Sequence, residues 1–244
     1  MNTTTRYHSF EGLIVNRTEN KNRHAAEQLA HVYEVVKKIP NPTILEFGID
    51  RGASTTVFLQ VCEENDGRLA SVDIADCSAI SDSPRWTFVE SSSTAVSTIV
   101  SQAPFLKDGI DFLYIDSAHT RAHVEKEVYG WFRYLKQDAV IMFDDVDPHI
   151  YRRGERKDNP RFEQSWEEIG AFVREFFYAN EDTLDLVIRY GSTGLAEIRK
   201  HSPLGVEPRR AVREQKRGLR SRVRLAAASA YKQFIPGVSS ASQA

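Results

Sequence analysis

Acidic and histidine side chains cluster in two short segments of this sequence. Asp116-Ser-Ala-His119 follows one apolar run, and Asp144-Asp145 follows the next. If the two runs are neighbouring strands, three carboxylates converge, and they repel one another unless a cation lies between them. Oxygen ligands with room for water favour Mg²⁺ or Mn²⁺ over zinc. The pattern therefore indicates a divalent-cation site, and a solvated turn at Asp144-Asp145 is the alternative.

Two histidines accompany the first acidic segment. From its position alone, His119 is a metal ligand, a proton acceptor or a surface cap. His123 lies four residues further on, but the Glu that follows the first His of a zinc-protease motif is missing. We therefore interpret His123 as structural.

A pair of glycines and an aspartate indicate a nucleoside site. The segment 46–55 contains Gly48 and Gly52, which allow a sharp turn and a close approach to a ligand, but it lacks the three-glycine fingerprint for a pyrophosphate. Asp73 lies where a carboxylate accepts hydrogen bonds from ribose hydroxyls. A plain tight turn and a helix-capping aspartate are the respective alternatives.

The elements that position these residues alternate regularly along the chain. Short runs rich in Ile, Val, Leu and Phe predict parallel strands covered on both faces, at 43–48, 68–74, 85–90, 109–116 and 138–144. Helices are predicted between and around them, at 23–39, 53–64, 94–103, 121–136 and 163–179. Two last strands, 184–190 and 194–200, are separated by a short turn and predict a hairpin. The fold class is therefore α/β, a mostly parallel sheet of seven strands with one antiparallel strand at its end.

Composition limits the classes of protein that fit. The chain has 244 residues and a net charge of −2, which removes electrostatics as a reason to expect nucleic acid as the main partner. Cys62 and Cys77 are the only cysteines, too few for a disulfide framework or a four-cysteine zinc site. The N-terminus lacks the apolar core of a secretory signal, and no stretch is apolar enough to span a bilayer. We expect a cytoplasmic protein without a transmembrane segment.

Three regions are predicted along the chain. Residues 1–39 form a polar lead and a helix, residues 40–200 form the α/β domain, and residues 201–244 form a basic tail. Between Pro208 and Arg224 the tail has eight basic residues against one acid, Glu214. A solvated extension, an arm that makes a homo-oligomer and a peripheral contact with an anionic surface all fit this tail.

In this order, the motifs resemble those of the class I S-adenosylmethionine-dependent methyltransferases. Glu46-x-Gly48-x-x-x-Gly52 is similar to their first motif, Asp73 to the acid that holds the ribose, and 184–199 to their terminal reversed hairpin. Asp-x-x-His after the fourth strand and the paired acids after the fifth resemble one branch, with metal-dependent sugar O-methyltransferases of macrolide biosynthesis and cephalosporin-hydroxylase-like proteins. Ser165-Trp-Glu-Glu-Ile169 is also similar to that branch.

The resemblance implies a Rossmann-like fold with helices on both faces, and roles for particular residues. It implies Mg²⁺ or Mn²⁺ bound by Asp116, Asp144 and Asp145, with His119 and Asp116 catalytic and His119 the base. It implies S-adenosylmethionine bound by Glu46, Gly48, Gly52, Ser54, Thr55, Asp73, Ser91, Ser92 and Asp116. Three positions depart from the branch. Glu is common in the branch where this chain has Asp144, an acid usually lies near the adenine where it has Ser91-Ser92-Ser93, and a Gly-Gly turn is common where it has Gln137-Asp138.

The reaction that follows is methyl transfer to a hydroxyl of a small molecule or sugar, in a glycoside, glycolipid or polysaccharide. Residues 148–166 follow the metal loop and mix basic, aromatic and flexible residues, as a lid over a polar acceptor does. Its candidate contacts are Tyr151, Arg152, Arg153 and Trp166. Two other functions stay open: metal-dependent hydrolysis or hydroxylation on the same scaffold, and a non-catalytic binding protein.

Overall fold

The computed structural model describes residues 23–157, 159–213, 218 and 223–224. The chain divides into two units, Met1–Val212 and Arg213–Ala244, and all the elements below lie in the first. The predicted N-terminal lead, and the tail beyond residue 213 with few exceptions, lie outside the described residues. No helix among the described residues has the length and apolar character needed to cross a bilayer.

A single sheet of seven strands forms the centre of the first unit. The strands are β1 Thr43–Phe47, β2 Arg68–Asp73, β3 Trp86–Glu90, β4 Ile110–Ile115, β5 Leu135–Asp144, β6 Leu184–Arg189 and β7 Leu195–Lys200. Their order across the sheet is β3-β2-β1-β4-β5-β7-β6. β7 is antiparallel to both of its neighbours, and the other strand pairs are parallel. The predicted mostly parallel sheet with a terminal hairpin is confirmed.

Helices cover both faces of this sheet, as predicted. They are α1 Arg23–Val36, α2 Ala53–Asn65, α3 Val96–Gln102, α4 Arg121–Trp131, α5 His149–Arg152 and α6 Pro160–Ala179. On one face, apolar side chains of α1 and α2 pack against Phe112 and Tyr114 of β4. On the other, α3, α4 and α6 pack against Leu113 and Ile115 of the same strand. This alternation along β4 follows from the two-residue period of a strand, and it buries both faces.

Several element boundaries differ from the prediction, and helix 23–39 is one of them, since it ends at Val36. The predicted helix 121–136 ends at Trp131, and β5 begins at Leu135 rather than at 138. β5 starts earlier because Leu135 already pairs with Ile110 of β4. The register then shifts before Phe112 pairs with Val140, and Asp138 lies in this irregular stretch with φ 64°. Helix α6 begins at Pro160 rather than at 163, because the Asn159 side chain caps it by accepting a hydrogen bond from Phe162 N.

Residues 201–212 belong to the same unit as the sheet. Buried Lys200 donates from Nζ to the carbonyl oxygens of Leu135, Ser202 and Pro203, at 3.0, 2.6 and 2.7 Å. Further along, the Arg210 guanidinium lies 4.0 Å from the centre of the Tyr129 ring. The first part of the predicted tail therefore packs on the domain.

The turn after β1 admits only glycine at position 48. Gly48 has φ +85°, and a Cβ there would lie 2.0 Å from the backbone oxygen of Asp116. The missing side chain lets the loops after β1 and β4 touch, which brings Asp116 next to the turn.

We expect Gly48→Ala to destabilise the domain by several kcal/mol. The left-handed backbone costs an alanine about 1 kcal/mol, and the clash with a rigid backbone atom adds about 1–3 kcal/mol. Gly154→Ala is the matched control, since Gly154 has φ +69° and a Cβ there would meet nothing within 4 Å. Urea unfolding followed by circular dichroism measures both variants. Equal destabilisation of the two would contradict the close approach at Gly48.

Candidate functional site

Loops at the carboxyl ends of the central strands enclose two cavities. The first, of about 640 Å³, lies over β1, β2 and β4, and we call it the nucleoside cavity after the site predicted from Gly48 and Asp73. The second, of about 430 Å³, lies over β4 and β5, and we call it the acceptor cavity after the hydroxyl acceptor that the resemblance predicts. Asp50, Asp116 and His119 line both cavities. A group bound in one cavity therefore meets a group bound in the other at these three side chains.

The nucleoside cavity contains the predicted ribose acid. Asp73 lines it, with Oδ2 accepting from Ile49 N at 2.8 Å and Oδ1 from Ala75 N at 2.9 Å. Each oxygen keeps a second lone pair, so the carboxylate can still accept from a ligand's hydroxyls. Gly48 lines the same cavity, whereas Gly52 caps α2 with φ +77° and lies against Ile80.

Polar groups from the loop after β3 and from α4 also line this cavity. The predicted Ser91 and Ser92 lie there, and so does His123, which sequence reasoning assigned a structural place. Ser93 Oγ lies 2.9 Å from His123 Nε2 and 2.5 Å from Glu127 Oε1. Glu127 is fully buried, and sequence reasoning missed it. Its position four residues after His123, on the same helix face, is the signal that could have identified it.

The predicted cofactor residues Glu46 and Thr55 lie beneath the cavities rather than in their walls. Fully buried Glu46 accepts hydrogen bonds from Ser54 Oγ, Thr55 Oγ1 and Ser71 Oγ, at 2.5, 2.8 and 2.6 Å. Burial raises the pKa of Glu46 to about 7, and these three hydroxyls oppose the rise. The network ties β1, β2 and α2 together, and Ser54 also lines the acceptor cavity.

Three potential ligands converge where the two cavities meet. One ligand atom from each of Asp116, His119 and Asp145 lies within 4.8 Å of the others. His119 Nδ1 is 2.6 Å from Asp145 Oδ2, and Ser165 Oγ donates to the carbonyl oxygen of His119. The two carboxylates are donors that suit Mn²⁺ or Mg²⁺, and the imidazole lies beside them.

The electrostatics of this cluster reflect burial and crowding. Burial and the neighbouring carboxylates of Asp144 and Asp145 raise the pKa of Asp116 well above its ordinary value. Burial raises the pKa of Asp145 to about 6, and the hydrogen bond with His119 opposes this rise. That hydrogen bond also raises the pKa of His119. The cluster therefore has excess negative charge that a proton or a cation relieves.

Asp144, the third predicted metal ligand, lines the acceptor cavity but faces hydrogen-bond donors. Oδ1 accepts from Gln28 Nε2 at 2.9 Å, from Thr193 Oγ1 at 2.5 Å and from Asp145 N at 2.7 Å. Oδ2 accepts from Tyr114 OH at 2.8 Å. The structure therefore brings Asp116 and Asp145 together with His119, and it holds Asp144 beside them in a separate network.

The rest of the acceptor cavity combines predicted and missed residues. Of the four candidate lid contacts, Tyr151 and Trp166 line it. Arg152 instead forms ion pairs with two glutamates of α6, and Arg153 forms one with Glu155. Arg156 and Phe162 also line the acceptor cavity; both lie in the predicted lid segment 148–166 but were not among its named contacts. Sequence reasoning missed the lining residues that come from distant elements: Gln28, Leu29, Ser192 and Thr193.

Comparisons with known proteins give one family match. Residues 45–146 match the family model described as "Methyltransferase domain". This segment contains β1 to β5, the glycine turn, Asp73 and the cluster around Asp116. No curated protein shows significant sequence similarity to the chain.

Solved structures resemble the fold at low sequence identity. A Staphylococcus aureus protein assigned as a caffeoyl-CoA O-methyltransferase superposes with TM-score 0.56 and 15% identity, over 80% of this chain and 93% of that one. CalS11, a TDP-rhamnose 3'-O-methyltransferase of calicheamicin biosynthesis, gives TM-score 0.51 and 16% identity, over 78% and 90%.

MycE, a methyltransferase of mycinamycin biosynthesis solved with Mg, S-adenosylhomocysteine and mycinamycin VI, gives TM-score 0.50 and 15% identity. The match covers 70% of this chain and 48% of MycE, so the chain spans about half the length of that protein.

We expect the imidazole of His119 to titrate above the ordinary histidine value of 6.5 in the metal-free protein. The Asp145 carboxylate stabilises the imidazolium, so the proton persists to higher pH than on a solvated histidine. Asp145→Asn removes that charge, and burial then lowers the pKa of His119. NMR titration of the histidine Cε1 protons measures both. The control Asp185→Asn, which removes a charge beside His201, should leave the pKa of His119 unchanged. A wild-type His119 with an ordinary histidine pKa contradicts its pairing with Asp145.

Proposed function

Since the chain carries a methyltransferase domain on a class I methyltransferase fold, we propose that it transfers the methyl group of S-adenosylmethionine to a hydroxyl oxygen, with a divalent cation assisting. The match of residues 45–146 confirms the methyltransferase resemblance predicted from the sequence. The observation that carries the proposal is the position of Asp116 and His119, which line both cavities. A methyl donor in one cavity and a hydroxyl in the other would meet there.

The nucleoside cavity suits the methyl donor. Asp73 has free lone pairs for the ribose hydroxyls, and Ser91 and Ser92 supply further hydroxyl groups in the lining of the cavity. S-adenosylmethionine supplies an electrophilic methyl group on a positively charged sulfur. The excess negative charge of the cluster at the cavity junction favours a cationic sulfur nearby, because opposite charges in a partly buried site attract strongly.

Asp116 and Asp145 would hold the cation, with the predicted Asp144 completing its ligands. A divalent cation there would lower the pKa of a bound hydroxyl and fix its position. Two bound reactants held in line gain several kcal/mol from proximity alone. The finer features of the proposal, the cation and a sugar or other small-molecule acceptor, are supported by the donor set and by MycE and CalS11 as distant neighbours.

His119 is the residue that moves the proton. With the hydrogen on Nδ1 directed to Asp145 Oδ2, Nε2 is left as a proton acceptor. Asp145 orients the ring and raises the pKa of His119, which makes Nε2 a better base. Ser165 fixes the backbone of His119 by donating to its carbonyl oxygen. The hydroxyl proton therefore has an oriented acceptor beside the acidic cluster.

Binding of S-adenosylhomocysteine tests the nucleoside cavity. We expect the wild type to bind it in isothermal titration calorimetry and Asp73→Ala to bind about ten- to a hundredfold more weakly, because a hydrogen bond to a charged group contributes about 1.5–3 kcal/mol. Asp82→Ala, an exposed acid in the loop after β2, is the matched control. No binding by the wild type would remove the methyltransferase proposal, since a hydrolase on the same scaffold needs no such ligand.

Turnover tests the acid and histidine cluster. We expect His119→Ala to lower methyl transfer by about 10²- to 10⁴-fold, the usual contribution of a general base, while S-adenosylhomocysteine affinity stays nearly unchanged. Exposed His149, outside both cavities, provides the control His149→Ala. Mass spectrometry of sugar and phenol acceptors incubated with S-adenosylmethionine and Mn²⁺ measures product. Full activity in EDTA overturns the assignment of the cation.

A further inference from the structure

The acceptor cavity has an aromatic wall that begins at His119. The rings of His119 and Phe162 are 6.0 Å apart, those of Phe162 and Trp166 6.4 Å, and those of Trp166 and Tyr151 5.1 Å. An apolar face laid on this wall excludes water beside His119. Aromatic faces of this kind pack against flat, partly apolar rings.

Polar groups oppose the aromatic wall. Gln28 of α1 and Thr193 of the turn between β6 and β7 line the other side of the cavity. The cavity therefore fits a ring with one apolar face and several hydroxyls, which describes a sugar.

Arg156 adds a positive charge to this cavity. Its guanidinium lies 5.9 Å from the centre of the Trp166 ring, and it has no ion-pair partner within the part of the chain that the structure describes. The neighbouring Arg152 and Arg153 differ, because each forms ion pairs with glutamates. A guanidinium at a cavity wall binds carboxylate or phosphate oxygens with two parallel hydrogen bonds.

The acidic cluster and Arg156 line the same cavity. Asp50, Asp116, Asp144 and Asp145 all line the cavity, so without further positive charge it would repel an anion. A divalent cation at the cluster would offset two of these charges, and Arg156 is the one guanidinium that the described residues place in the cavity lining, so an anionic group would bind there rather than beside the acids.

From this wall we infer that the acceptor is an anionic sugar, a ring whose hydroxyl is presented to His119 while its phosphate or carboxylate group binds Arg156. This inference rests on the proposed function and specifies its acceptor class. Arg156 would then be the residue that distinguishes charged from neutral sugars.

Calorimetry with three probes tests the inference in the presence of S-adenosylhomocysteine and Mn²⁺. The probes are glucose 1-phosphate, glucuronate and methyl glucoside, so the two charged arms distinguish a phosphate from a carboxylate. We expect the wild type to bind at least one charged probe about ten- to a hundredfold more tightly than the neutral one. Arg156→Gln should remove that preference, and Arg156→Lys should restore part of it. Arg153→Gln, which changes a paired arginine outside the cavity wall, should leave it intact.

Three results overturn the inference: equal or absent binding of all three probes, a preference that survives Arg156→Gln, or a preference that Arg153→Gln removes as well. A preference that survives Arg156→Gln but disappears without Mn²⁺ places the anion on the cation. Binding of S-adenosylhomocysteine distinguishes a failure of the acceptor class from a failure of the proposed function. If it binds and no charge preference appears, only the acceptor class fails, whereas its failure to bind removes the proposed function.

Discussion

Register across three adjacent parallel strands is the constraint on which this site depends. Phe47 of β1 pairs with Ile115 of β4, and Ile115 pairs with Phe143 of β5. The next residue on each strand, Gly48, Asp116 and Asp144, must therefore emerge side by side at one edge of the sheet. Glycine is needed at position 48 because the backbone oxygen of Asp116 occupies the space that a Cβ would take. The sheet thus forces acidic groups together next to an open turn, where both cavities begin.

Hydroxyl and amide donors stabilise the carboxylates that this geometry concentrates. Glu46 accepts from three hydroxyl groups beneath the glycine turn, and Asp144 accepts from the side chains of Gln28, Tyr114 and Thr193. A buried carboxylate without such partners would be strongly destabilising. Asp116 and Asp145 have His119 nearby in place of a full set of donors, which leaves them suited to bind a cation or hold a proton.

The two cavities differ in which parts of the chain build them. Loops within the matched segment 45–146 supply the lining of the nucleoside cavity. The acceptor cavity takes Gln28 from α1, Trp166 from α6 and Thr193 from the hairpin turn, all outside that segment. In the proposed transferase, this division would allow the acceptor to change while the methyl-donor site is kept, because α1, α6 and the hairpin can vary without altering the loops under the donor.

Local signals in the sequence determined the seven strands, the helices on both faces and the acids at strand ends. Apolar runs and their spacing are properties of neighbouring residues, and parallel pairing carries strand ends such as Asp73 and Asp116 to one edge. Only the tertiary structure decided that Glu46 is buried beneath the cavities, that Gln28 and Thr193 hold Asp144, and that Arg156 faces the acceptor cavity. Gln28 lies 116 residues from Asp144 and 165 from Thr193, and such contacts arise from packing between distant elements, which no local pattern encodes.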